Sequence, residues 1–280
     1  MTAFGPVAMS ASGLCFSFGN KSVIEHLSLN IYQGECFMII GPNGAGKSTL
    51  LRGLAGIEKK RAGTIDLGGR PLEDHSRREL ARTIAFVPQL MATDFPFTVR
   101  EVVMSGRAPH QGWLGMETKR DCAVVDEAMG FTDVSHLADR PVVCLSGGER
   151  QRVFIAAAIC QEPSVVLMDE PTSALDPAHQ IRIMDLMERL KNEKNMTLVM
   201  VMHDINLAAM YADRVLVLKN GKQIHEGTVH EVFTRGILEQ VYDCSFMVDI
   251  NPLGEKPRSV PVPTKFQGVV SGFNDSSDCD

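Results

Sequence analysis

Apolar residues fall along the chain in short runs separated by glycine, proline and polar breaks. Cys36–Ile40 is an unbroken apolar run, as a parallel strand buried on both faces requires. Leu14–Phe18 and Val23–Ile31 alternate in part, which predicts two strands near the start. Gly63–Leu67 reads as an edge strand, and Thr83–Val87, Val165–Met168, Thr197–Met202 and Val215–Leu218 as further buried strands. Helical spacing appears between them, over Ser48–Ala55, Gln180–Asn192 and Asn206–Ala212. Strands that alternate with helices predict an α/β fold, a mostly parallel sheet with helices on both faces.

Two stretches depart from this alternation. Thr98–Ile159 is helical throughout, with helices expected over Val99–Gly106, Lys119–Gly130 and Glu149–Cys160. It reads as a helical insertion, residues 95–160, between two strands of the sheet. After Val248 the composition shifts, with Pro252, Pro257, Pro261 and Pro263 set among glycine, serine and aspartate. Residues 1–250 are therefore expected to form the folded unit, and Asn251–Asp280 a loosely ordered tail. Just before it, Gly221–Gly227 predicts a hairpin near the sheet edge and Val229–Tyr242 a helical segment, both with a packing role.

Composition narrows the class. The 280 residues are 44% hydrophobic and 22% charged, ordinary values for a globular chain. The net charge of −6 argues against a duplex-DNA partner, and no nucleic-acid role is expected. No apolar stretch approaches the ~20 residues of a membrane-spanning helix. Met1–Ser10 lacks a basic segment followed by a long apolar one, so no secretory signal is expected there. Seven cysteines, dispersed and never in a C-x-x-C pair, point to a reducing cytoplasm and away from a disulfide framework or zinc site.

Phosphate chemistry enters at Gly41-Pro42-Asn43-Gly44-Ala45-Gly46-Lys47-Ser48, which fits G-x-x-x-x-G-K-[ST] between an apolar strand and a helix. Its glycines let successive backbone N–H groups face phosphate oxygens, and the helix N-terminus adds partial positive charge. Lys47 is placed to reach the β- and γ-phosphates and Ser48 to bind Mg²⁺. The run Val165-Val166-Leu167-Met168 ends in Asp169 and Glu170. Beside a phosphate loop, Asp169 is a candidate Mg²⁺ ligand and Glu170 a candidate base that polarises the attacking water. Ser146-Gly147-Gly148, opening a helix, makes a second anion site.

At Leu145–Gln151 the sequence resembles the signature motif of ATP-binding cassette (ABC) ATPases, and the resemblance runs from Leu14 to Val248. Other elements of that family follow in order. Gln89, after Ala85-Phe86-Val87-Pro88, matches the Q-loop, Ser173-Ala174-Leu175-Asp176 the D-loop, and His203 the switch histidine. Phe18 falls where the family stacks an aromatic ring on adenine, with Phe16 as a rival. The resemblance implies a P-loop NTPase fold: a RecA-like core, an antiparallel β subdomain and the helical insertion. It also implies ATP and Mg²⁺, with Gly41–Ser48 and Thr49 around the phosphates and Ser48, Gln89 and Asp169 around the metal.

The same resemblance implies a head-to-tail homodimer. Each ATP would lie between one copy's Gly41–Ser48 loop and the other copy's Ser146, Gly147 and Gly148, with Asp176 connecting the two sites. Lys47, Gln89, Glu170 and His203 would act in hydrolysis. One cassette without a membrane span resembles the peripheral subunit of a prokaryotic importer, at the cytoplasmic face of the inner membrane. It would work with separate permease subunits and, through them, a substrate-binding protein. Ser76–Ala81, Val99–Val103, Gly106–His110 and Leu175–Gln180 look like the branch that serves ferric siderophores, haem and cobalamin. An exporter's cassette, or a cassette ATPase outside transport, is the alternative. A GTPase is opposed by the absence of Asn-Lys-x-Asp.

Overall fold

The structure is a computed structural model, and it describes residues 5–19, 21–89, 96–112, 115–173 and 175–266. Strands β1 (Val7–Phe18) and β2 (Lys21–Tyr32) pair antiparallel, and β3 (Cys36–Ile40) leads into α1 (Lys47–Leu54). Then come β4 (Ala62–Leu67), β5 (Arg70–Pro71), α2 (Arg77–Thr83) and β6 (Ile84–Val87). Helices α3 (Val99–Ser105), α4 (Lys119–Phe131) and α5 (Gly147–Cys160) stand between β6 and β7 (Val165–Asp169), where the helical run was expected. The chain continues through α6 (Pro177–Lys194), β8 (Thr197–Val201), α7 (Ile205–Tyr211), β9 (Arg214–Lys219) and β10 (Lys222–Thr228). It ends, among the described residues, with α8 (Val229–Val232), α9 (Arg235–Tyr242), β11 (Phe246–Ile250) and β12 (Pro257–Pro261).

A six-stranded sheet in the order β10-β9-β3-β8-β7-β6 forms the centre. β9, β3, β8, β7 and β6 run parallel, and only β10 is antiparallel. A four-stranded sheet, β2-β1-β4-β5, packs beside it. Alternation along β3 divides the interior in two. Phe37 and Ile39 join β1, β2 and α1 in one core, whereas Cys36, Met38 and Ile40 face the core shared with α3–α9. Every residue of β3, β7 and β8 is buried, which is why these strands read as unbroken apolar runs.

Three expectations need correction. β4 is not the edge of its sheet, because the two-residue β5 closes its outer side. Such a short strand leaves no periodic signal. The expected loose tail does not begin at Asn251, because Pro257–Pro261 pair in register with Phe246–Ile250. Two of the four prolines that suggested disorder, Pro257 and Pro261, stand at the two ends of β12, where a missing N–H costs no ladder bond. Residues 267–280 lie outside the described residues. The Asn220-Gly221 turn that opens the Gly221–Gly227 hairpin does more than pack, because it borders the cleft beside the phosphate loop.

Candidate active site

The phosphate loop is built by close approach. Gly41 has φ 145°, and a Cβ there would stand 2.0 Å from the Leu218 carbonyl oxygen of β9. The loop therefore lies flat on the parallel sheet just beyond β3, and any side chain at Gly41 would lift it off. Lys47 starts α1 and folds back, its Nζ donating to the carbonyls of Gly41 (2.8 Å) and Pro42 (3.0 Å). Burial lowers the Lys47 pKa below the ordinary lysine value, and the carboxylates of Glu170 and Asp169 oppose that shift. The Lys47 amine is thus caged by the carbonyls of its own loop.

At the end of β7, Asp169 accepts a 2.9 Å hydrogen bond from Ser48 Oγ. Burial raises the Asp169 pKa above its ordinary value, and the Ser48 hydroxyl counters part of the rise. Glu170 follows in the left-handed region, φ 51°, a conformation that costs about 1–3 kcal/mol outside glycine. Two contacts fix it: the Glu170 N–H donates to the Val201 carbonyl (3.1 Å), and Ser173 Oγ donates to the Glu170 carbonyl (3.0 Å). The kink at the strand end turns the carboxylate toward two other residues that the resemblance assigns to the site. Gln89 Nε2 hydrogen-bonds one of its oxygens, and His203 Nε2 contacts the other.

The loop from Asn43 to Thr49, Glu170 and His203 line a cleft of about 530 Å³ together with Phe18, whereas Gly41, Pro42, Gln89 and Asp169 do not line it. Phe18 is 54% exposed beside it, while Phe16 is 1% exposed in the core. A Cβ on Gly53 of α1 would stand 2.1 Å from the Phe16 ring, so Phe16 is covered by that helix. The cleft also takes Lys21, Ser22, Val23, Asn220 and Gly221, which the sequence reading did not assign to it. Asn220 and Gly221 both have positive φ (51° and 76°), the backbone of an Asn-Gly hairpin turn. The Gly221 N–H donates to the Ala45 carbonyl at 3.1 Å, so the hairpin tip braces the phosphate loop. The Asn-Gly pair was the available signal.

Ser146, Gly147, Gly148 and Asp176 do not line this cleft. They gather on their own surface at the starts of α5 and α6. Ser146 caps α5 in a reciprocal box with Glu149, and Asp176 caps α6 by accepting from the His179 N–H at 3.0 Å. A Cβ on Gly148 would stand 2.5 Å from the His179 ring, and one on Gly147 3.6 Å from Leu175. Ala174, part of the expected D-loop, lies outside the described residues. The glycine loop with its lysine and the α5 N-terminus thus lie on two separate surfaces of one chain.

A strand–glycine loop–helix unit with paired Ser48 and Asp169 and an adjoining glutamate defines a P-loop nucleotide hydrolase. The pattern of the ABC transporter family matches residues 24–173, more than half of the chain. The chain is 39% identical over 257 residues to a probable siderophore transport system ATP-binding protein of Bacillus subtilis, covering 92% of this chain and 94% of that one. It is 43% identical over 239 residues to a hemin import ATP-binding protein of Streptomyces coelicolor, covering 85% and 84%. A solved metal-chelate type ABC transporter in an inward-facing conformation superposes with a TM-score of 0.82 at 29% identity, covering 93% and 99%. The chain belongs to the ABC transporter family, as an ATP-binding and ATP-hydrolysing cassette. No helix among the described residues is long and apolar enough to cross a membrane.

Proposed function

We propose that this cassette powers the import of ferric siderophores through separate membrane permease subunits, from the cytoplasmic face of the inner membrane. Haem and cobalamin follow as second and third cargo. Support for the cargo comes from the names of relatives aligned along nearly the whole chain, one for siderophore and one for hemin transport. The observation that carries the hydrolytic part is the carboxylate of Glu170 held between Gln89 and His203, beside Ser48 and Asp169.

In this reading, ATP lies with its phosphates on Gly41–Thr49 and its adenine against Phe18. Lys47 exchanges its loop carbonyls for β- and γ-phosphate oxygens. Ser48 and Asp169 supply hard oxygen donors on one side of the phosphates, a set that suits Mg²⁺. No cluster of three or more His, Cys, Asp or Glu able to hold a metal by itself occurs among the described residues, in keeping with an ion held largely through substrate phosphates. Bound Mg²⁺ would neutralise phosphate charge; Ser48, Asp169 and Gln89 would hold it. Glu170 polarises the attacking water, and His203 and Gln89 fix the direction of its carboxylate. The Ser146–Gly148 surface, apart from the cleft, serves a second copy's ATP in a head-to-tail dimer, with Asp176 between the two sites.

The test is uptake of a radiolabelled ferric siderophore in a strain lacking the gene, complemented with the wild-type chain or Glu170→Gln. Uptake restored by the wild type alone is the expected result. Equal uptake in all strains would remove ferric siderophore as the cargo and pass the assay to haem and then cobalamin.

A further inference from the structure

The segment that carries His203 is anchored from an unexpected direction. His203 lies in a bend just before α7, 43% exposed at its side chain. α7 spans seven residues, too few to hold its own ends in place without tertiary support. Its cap is local: Asp204 accepts from the backbone N–H groups of Asn206 (2.9 Å) and Leu207 (3.0 Å). Its buried Leu207, Ala208 and Ala209 join the core and Tyr211 at its far end donates to Asp185 of α6 (2.7 Å), while at the end next to His203 the Asn206 side chain reaches β12. Asn206 Nδ2 donates to the Ser259 carbonyl at 3.0 Å. Asn206 Oδ1 accepts from the Ser259 N–H at 2.9 Å and from the Ser259 hydroxyl at 3.2 Å.

The geometry is that of a strand pairing in miniature. Ser259 sits opposite Val248 in the hairpin, yet both its backbone groups go to Asn206, so they point off the outer edge of β12. One carboxamide supplies the donor and the acceptor that a neighbouring peptide would supply. Ser259 is 0% exposed while Asn206 is half-buried, so the backbone groups of Ser259 depend on the carboxamide for their partners. The same C-terminal module is tied together internally: Phe246 N–H donates to Glu239 at 3.0 Å, and the Tyr242 and Phe246 rings lie 5.9 Å apart.

We propose that Asn206 is a positioning residue for ATP hydrolysis: its clasp on Ser259 ties α7 to the C-terminal hairpin and so holds His203 against Glu170. The proposal rests on the reading of His203 as a residue of the hydrolytic site. It gives the segment after Val248 a part in turnover.

The experiment compares full-length wild type, His203→Ala, Asn206→Asp, Ser259→Pro and Ser259→Ala for kcat, KM, ATP affinity and thermal midpoint. Asn206→Asp keeps the shape but turns an oxygen, in place of the Nδ2 donor, toward the Ser259 carbonyl. Ser259→Pro deletes the N–H from the hairpin side and leaves α7 untouched. Both should lower kcat by about tenfold or more, since small misplacements of a reacting group carry such losses. ATP affinity should stay within about twofold, the pattern of an interaction felt only in the transition state. Ser259→Ala keeps both backbone bonds and should lose less than about threefold.

Wild-type kcat in Asn206→Asp and Ser259→Pro, beside an inactive His203→Ala, would overturn the positioning role alone. A parallel fall of thermal midpoint and ATP affinity with kcat would also overturn it, reducing the clasp to a stabilising contact. A fully active His203→Ala would overturn the reading of His203 and the proposal with it.

Discussion

The charged groups around Glu170 and those around Arg107 are satisfied in opposite ways. Arg107, in the turn after α3, is 2% exposed. It donates from Nε to Asp121 (2.9 Å) and from Nη1 to Glu162 (2.7 Å) and the Cys160 carbonyl (2.7 Å). Asp121 is also the partner of Thr118 in the capping box of α4. The Thr118 hydroxyl first, and Arg107 after it, hold the Asp121 pKa down to about 2. This knot joins the starts of α4 and the end of α5 and closes the helical insertion. Around Glu170, by contrast, His203 and Gln89 remain exposed, and the three polar side chains answer chiefly to one another beside the cleft. The charge that holds the insertion together, Arg107, is itself buried with all its partners in place, whereas the groups around Glu170 keep exposed partners that can be exchanged.

The sharpest break of this comparison is Glu170→Gln. It keeps the size and most hydrogen bonds of the side chain but removes its basicity. Turnover should fall by about 10²–10⁴ while ATP binding persists, measured by phosphate release and by nucleotide affinity. Wild-type phosphate release would remove Glu170 from the chemistry.

Arg107→Ala should behave in the reverse sense. It leaves Asp121 buried beside an empty space and should destabilise the chain by about 3–5 kcal/mol, read from the denaturant midpoint, with ATP affinity unchanged in the folded protein. The same knot predicts an acid response. The Asp121 pKa is depressed in the folded state, so its contribution is full above the unfolded value of about 3.9 and is lost as pH falls toward 2. Asp121→Asn should therefore flatten the loss of stability between pH 4 and pH 2, while lowering stability at neutral pH.

The smallest effect is expected at Phe18. Phe18→Ala should weaken ATP binding by about 1–3 kcal/mol, judged from stacking of bases on aromatic rings, and leave the thermal midpoint nearly unchanged. An unaltered affinity would place the adenine elsewhere in the cleft.

Much of this was legible along the chain. The phosphate loop, the acidic end of β7 and the α5 N-terminus are local patterns, in which neighbours in sequence create the chemistry. Phe18 was preferred to Phe16 by resemblance alone, because both fit the same strand spacing. Two residues of extended chain, about 6.6 Å, carry Phe18 past the helix that covers Phe16. The Gly106–His110 turn resembled a marker of the siderophore branch, and its tertiary role is packing. A Cβ at Gly106 would stand 2.1 Å from the Ala157 carbonyl, and Arg78 and Arg82 of α2 hold the Pro109 carbonyl at 2.8 and 3.0 Å. Two cues distant in sequence, Ser76–Ala81 and Gly106–His110, thus meet in space.

The sequence by itself determined the strand order of chemistry: which residues could touch phosphate, which could act as base, and to which family the chain belongs. Those properties follow from residue type and short-range spacing, which a linear reading retains. Only the tertiary structure decided that Gln89 and His203, 81 and 33 residues from Glu170, close on one carboxylate. It also decided that Asn220-Gly221 braces the loop, that a proline-bounded strand clasps Asn206, and that the α5 N-terminus stays apart from its own cleft. These are contacts between segments with no period in common. They are set by how two apolar cores divide the sheet, and no local pattern encodes that division.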